Sequence, residues 1–142
     1  MSDFTYNKYE YEEIEIGHKE TFTVSITEEM LAAFKAITGD INPLHNDEEY
    51  AKSKGHGGRV VYGMLTASFL STLAGVYLPG EKSLIHEVKT KFVKPVYIGD
   101  VLTVEGVVDD KHDAFKLLDI KYTIRNQDGV KVSRGTMSVE VQ

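Results

Sequence analysis

From Met64 to Leu78 the chain runs without a single charged residue, inside the stretch "GMLTASFLSTLAGVYLPG". Small side chains (Thr66, Ala67, Ser68, Ser71, Ala74) alternate there with bulky ones (Met64, Leu65, Phe69, Leu70, Leu73). A helix that is apolar nearly all round has to be covered on most of its sides. Its small residues let other backbone come close. The run is too short and too rich in hydroxyls to span a membrane, which takes roughly 18 or more apolar residues. The rest of the chain must therefore wrap this helix, and Gly63 opens it.

The segments on either side read as the wrapping. Phe22, Val24 and Ile26 alternate with Thr21, Thr23 and Ser25, the period of a half-buried strand. Thr27 is placed to cap a following helix, with Glu28 and Glu29 in its first turn and Met30, Leu31, Phe34 and Ile37 as its apolar stripe. That helix should stop at Gly39. Asn46 is expected to cap a short helix through Tyr50 and Ala51, and the glycine-rich "KGHGGRVVYG" follows. Beyond Pro79-Gly80 the pattern turns to strands: Ser83 to Val93, Val101 to Val108, then Leu118, Ile120, Tyr122 and Ile124 alternating with polar residues. Asp128-Gly129 marks a hairpin turn, and Val130 to Val141 returns, with Gly135 expected at a bulge. His86 shares a strand face with Leu84 and Val88 and is expected in the core. The class is α+β, one domain over residues 1–142: an antiparallel meander around one buried helix.

Composition removes several functions. The formal net charge is −6, with no basic run and no nucleic-acid-binding motif, so no nucleic-acid partner is expected. No cysteine is present, which excludes disulfides, thiolate metal sites and a cysteine nucleophile, and fits a reducing cytoplasm. The acidic, aromatic start "MSDFTYNKYEYEEIEIG" has neither the basic start nor the apolar core of a leader peptide. No membrane association is expected.

Chemistry concentrates in "TGDINPLHNDEEYA", where Asp40, Asn42 and His45 crowd around Pro43. A carboxylate and an imidazole can both move protons. Pro43 fixes its own φ and biases Asn42 toward extended backbone, which stiffens the loop that aims them. Asn42 can orient a water, or hold the loop by bonding to backbone. Metal binding by Asp40 and His45 lacks a third ligand nearby, so no metal is expected there. Gly63, at the helix start, has a backbone N–H among the unsatisfied donors, where negative charge is favoured. Glycine also lets a ligand come close. His56, Arg59 and Tyr62 fall where the mouth of a pocket would be.

"TGDINPLHNDEEYA" with "VVYGMLTASFL" resembles the signature of the MaoC-like dehydratases, which include the (R)-specific enoyl-CoA hydratases; Gly39, Asp40, Asn42, Pro43, His45 and Ala51 stand at the matching spacing. "KFVKPVYIGDVL" resembles a second segment of that family through Phe92, Pro95, Val96, Gly99 and Asp100. The likeness runs from about Thr21 to the C-terminus. Two places depart from it: Gly-His-Gly-Gly-Arg, containing His56, stands where an aromatic often precedes Gly-Gly-Arg, and Tyr62 stands where a histidine often precedes the helix-opening glycine.

The resemblance implies a hot-dog fold, a bent antiparallel sheet around a long central helix. It implies a lyase that hydrates trans-2-enoyl thioesters reversibly to (R)-3-hydroxyacyl thioesters in fatty acid metabolism. Asp40 and His45 would share the proton transfers as one coupled unit. The Gly63 N–H would receive the thioester oxygen. No dissociable cofactor is implied, because coenzyme A or an acyl-carrier pantetheine belongs to the substrate. The partners implied are the acyl thioester, a second copy in a homodimer joined edge to edge, and an acyl carrier protein as an alternative carrier. Lys52, Lys54 and Arg59 could meet the arm's phosphates. Two rival readings are a hot-dog thioester hydrolase, against which the helix's lack of an acidic residue counts, and a non-catalytic acyl-thioester binding protein, against which the intact Asp40/Asn42/His45 set counts.

Overall fold

Five strands form one antiparallel sheet: β1 (Lys19–Ser25), β2 (Ser83–Phe92), β3 (Val101–His112), β4 (Leu117–Arg125) and β5 (Lys131–Val141), in the order β1-β3-β4-β5-β2. These come from a computed structural model that describes residues 5–142; the leader-peptide reading begins on residues 1–4, which lie outside the described residues. The strands are the β-branched, alternating segments, and they bury one face. Leu102, Val104 and Val108 on β3, with Leu118, Ile120, Tyr122 and Ile124 on β4, line the core.

Four helices accompany the sheet: α1 (Glu28–Thr38), α2 (Pro43–Asn46), α3 (Glu48–Ser53) and α4 (Gly63–Thr72). The charge-free run is α4, continued by a π-helical turn at Leu73–Tyr77. That turn packs against β1 and β2, the two edges of the sheet, and against β3 between them. A sheet can touch one turn of helix with both edges only by curling around it. The hot-dog layout follows, with Leu73 and Ala74 fully buried at its centre.

Burial of α4 is one-sided. Leu65, Thr66 and Leu70 are buried, while Met64, Ser68 and Ser71 on the other side are exposed. Charge is absent from that side too, because it faces an apolar cavity rather than the core. Likewise Ile37, expected in the stripe of α1, is 82% exposed; only Leu31 of that helix is buried, with Met30 and Phe34 packed against the core.

Three local expectations are corrected. Asn46 ends α2 instead of capping α3; Asp47 is that cap, its carboxylate accepting from Tyr50 N at 3.1 Å. Pro43 at the first helical position starts a separate turn ahead of it. Gly135 lies in regular register, opposite Thr90 on one side and Tyr122 on the other. It is required by crowding, since a Cβ there would stand 1.8 Å from the Lys89 carbonyl oxygen. The irregularities fall elsewhere, and the one in β2 lies between Ile85 and Glu87. His86 is the extra residue of that bulge. One inserted residue exchanges the faces of the strand, so His86 leaves the core and pairs in the open with Glu140 at 2.9 Å.

Leu73→Ala should cost about 2–5 kcal/mol in urea unfolding, the range for emptying a closed core site. Ile37→Ala should stay within about 0.5 kcal/mol. Equal effects would mean the π turn is not the centre of the core.

Candidate active site

Helix α1 ends where the sequence says it should: Gly39 takes a left-handed conformation, φ 73°, and its N–H closes on the Lys35 carbonyl. Asp40 follows at once, and its backbone is held on both sides. Its N–H donates to Thr38 Oγ1 at 3.2 Å, and its carbonyl accepts from the Tyr62 hydroxyl at 2.6 Å. One carboxylate oxygen takes the Asn42 N–H at 3.0 Å, leaving the other oxygen for a ligand.

Asn42 caps α2, its Oδ1 accepting from Leu44 N at 2.9 Å. Of the two tasks open to it, holding the loop is the one the geometry displays, and Asn42 does not line the cavity described below. The cap places His45 in the single turn of α2. Its Nδ1 lies 2.6 Å from the Val60 carbonyl oxygen. A carbonyl can only accept, so Nδ1 carries the proton. In the neutral imidazole the lone pair is then on Nε2, the nitrogen suited to take a proton. The ring lies on Tyr62 with centroids 4.2 Å apart.

Tyr62 is the hub. It is 1% exposed, immediately precedes α4, donates to the Asp40 carbonyl and accepts from Asn46 Nδ2 at 3.1 Å. Asn46 Nδ2 also reaches the Asn42 carbonyl at 2.9 Å. The loop, the histidine turn and the helix start are thus tied through one phenol. Gly63 is the first residue of α4, and no side chain caps that end. The Phe92 ring lies against it; a Cβ on Gly63 would meet ring atoms at 3.1–3.3 Å.

Asp40, His45, Tyr62 and Gly63 all line one cavity of about 1070 Å³, whose walls are otherwise mainly apolar, with Phe34, Met64, Leu70 and Val88 among them. His45 and Gly63, with Phe92, also line an adjoining chamber of about 310 Å³. Two residues expected at the mouth are elsewhere. Arg59 donates from Nε to the His45 carbonyl at 2.8 Å and pairs with Glu28 at 2.5 Å, so it braces α2 against α1 from behind. His56 lines neither chamber. Phe92, Asn46 and the Val60 carbonyl were not assigned site roles from sequence. Phe92 had a signal, since it stands in the second resembling segment. The Val60 carbonyl had none, because any residue would supply it.

A separate group of potential metal ligands, Asp110, His112 and Asp119, has ligand atoms within 4.8 Å of one another on the β3–β4 hairpin. His112 hydrogen-bonds Asp119 at 2.8 Å, and that bond and charge raise its pKa above the usual histidine value. Asp40 and His45 take no part in it.

Comparison with known proteins gives a consistent picture. The family model described as "MaoC like domain" matches residues 12–129. An (R)-specific enoyl-CoA hydratase of Rhodospirillum rubrum is 34% identical over 105 residues, covering 71% of this chain and 73% of that protein. One from Aeromonas caviae is 31% identical over 128 residues, covering 90% of this chain and 96% of that protein. The solved structure of an R-hydratase from Pseudomonas aeruginosa superposes with a TM-score of 0.86 at 33% identity, over 92% of this chain and 84% of that one.

If Asn42 works as the cap, Asn42→Ala should lower thermal stability by about 1 kcal/mol while Asn42→Asp, which keeps the acceptor, holds it. An alanine variant as stable as the parent would remove the cap from the account.

Proposed function

Because this chain belongs to the MaoC-like domain family, we propose that it is a hydro-lyase acting on trans-2-enoyl thioesters and their (R)-3-hydroxyacyl counterparts, with Asp40 and His45 as the proton-moving pair. The observation that carries the reading is the His45 tautomer. A histidine pinned through Nδ1 to a carbonyl presents Nε2 as a base, and it shares a cavity with one carboxylate and one helix N-terminus.

The chemistry follows from those three groups. Water adds its oxygen to the β-carbon as the pair takes one of its protons. The α-carbon, carrying the displaced electrons as an enolate, receives a proton back from the pair. Water thus supplies both the new hydroxyl and the new hydrogen, and Asp40 and His45 end as they began. Between these events the thioester oxygen bears enolate charge. The Gly63 N–H, at the positive end of α4, is suited to receive it. Dehydration is the same path in reverse. Asn42 serves by fixing the turn that aims both groups. No dissociable cofactor is required, since water reacts and the coenzyme A or acyl-carrier pantetheine is part of the substrate. Acyl chains of fatty acid metabolism fit the apolar cavity. A cytoplasmic enzyme is the corresponding setting; no helix among the described residues is long and apolar enough to cross a membrane. A hydrolase reading gains no support from α4, which offers no carboxylate.

A homodimer belongs to the same reading. Beyond its bulge the edge strand β2 exposes Val88 and Phe92, at 42% and 49%, with unpaired backbone beside them.

Purified protein should bleach the enone absorbance of crotonyl-CoA. Asp40→Asn and His45→Ala should each lower the rate on the order of 10²-fold or more with melting unchanged, as for a positioned acid–base group. Inertness of folded protein toward short, medium and long enoyl-CoA would sink the hydratase reading, and release of free thiol would favour hydrolysis. In sedimentation, the parent should run as a dimer and Val88→Arg as a monomer; a monomeric parent would end the dimer proposal.

A further inference from the structure

The two chambers meet at the reacting centre. His45, Gly63 and Phe92 line both, whereas Asp40 lines only the large one. A thioester leaves such a centre in two directions. One is the acyl chain, a hydrocarbon. The other is the pantetheine arm, a narrow chain with two amides. The large cavity's apolar walls suit the first.

The small chamber holds something a hydrocarbon would not favour. Thr66 lies three residues beyond Gly63, close to one helical turn, and so on nearly the same face of α4. It is 2% exposed, it lines the small chamber, and its Oγ1 has no hydrogen-bond partner among the described residues. An unpaired hydroxyl is costly to bury, and native proteins keep few of them. Valine has the same shape and would fill the site without that penalty. The chamber reaches the surface beside Val93, Lys94 and Pro95, all exposed. A chain entering there shares the chamber with Thr66, Gly63 and His45.

We propose that the small chamber is the channel for the pantetheine arm and that the Thr66 hydroxyl hydrogen-bonds one of the arm's amides. This rests on the thioester reading above and fixes which way round the substrate lies. The acyl chain runs along Met64 and Val88, and the sulfur points toward Thr66. Lys94 stands at the exit, where the phosphate-bearing end of the arm emerges.

The test compares the parent with Thr66→Val and Thr66→Ser. Calorimetric titration with butyryl-CoA, a saturated thioester that cannot be hydrated, should show affinity about three- to tenfold weaker in the valine variant, the worth of one hydrogen bond. Serine should restore it. The valine variant should melt no lower than the parent, since it loses only an unpaired hydroxyl. In turnover, KM for crotonyl-pantetheine should rise with kcat held, while S-ethyl thiocrotonate, which has no amide, should be indifferent. Equal butyryl-CoA affinity in parent and valine variant would overturn the proposal. So would a kcat loss shared by S-ethyl thiocrotonate, which would give Thr66 to the reacting water. A loss growing with acyl length would place the acyl chain in the small chamber and overturn it as well. The titration needs no turnover. Thr66-dependent binding by an inert enzyme would therefore defeat the hydratase reading and leave the arm channel standing.

Discussion

Two backbone groups of Val60 hold the site together. Its N–H donates to the Leu44 carbonyl and its carbonyl receives His45 Nδ1, so a single residue grips α2 by its backbone and by its imidazole. The next residue ties to the other side, Val61 N–H to the Val96 carbonyl at 2.8 Å. The extended pair is thus a strut between the histidine turn and the segment that leads into β3. Two residues later the chain becomes α4. The orientation of the histidine, the position of the helix N-terminus and the cover of the core all descend from that short stretch. Backbone supplies these bonds, and backbone groups that are buried have to be paired whatever the side chains are.

Around that strut, stability and chemistry are divided between the two sides of α4. Away from the cavity the helix is sealed by Leu65, and the π turn after it by Leu73 at 0% exposure. Toward the cavity it shows Met64, Ser68 and Ser71, with no charge among them. A helix built only for packing would put charged residues on such an open side. The absence of charge is what the proposed acyl substrate would require. The missing N-terminal cap is of the same kind. Side chains commonly satisfy the first N–H groups of a helix; α1, α2 and α3 each have such a cap and α4 has none.

What the sequence made legible divides along the same physical line. That Asp40 and His45 would face one pocket could be read because their relation is local: a helix stop at Gly39, a proline, and six residues of chain. The wrapping of a charge-free helix by strands could be read because burial demands it. The fate of His86 could not, since the bulge between Ile85 and Glu87 arises only when β2 is laid against β5. Arg59 was misplaced for a similar reason; its partners, Glu28 and the His45 carbonyl, are far from it in the chain. Gly135 announced an anomaly correctly and its kind wrongly. Glycine reports that a side chain will not fit, and crowding by Lys89 and Tyr122 is as good a cause as a bulge.

In the proposed dimer, the placement of β2 would link assembly to substrate choice. Ile85, Val88, Thr90 and Phe92 wall the large cavity, and the same strand is an outer edge of the sheet. A second copy laid along that edge would therefore not merely hide apolar surface. It would close the open flank of the cavity and press on Phe92, the ring that lies against Gly63 and divides the two chambers. In such an arrangement the length available to an acyl chain would be set partly by the neighbour. Monomer and dimer would then differ in chemistry as well as in size, because in the proposed dimer the strand that walls the site would also be the seam.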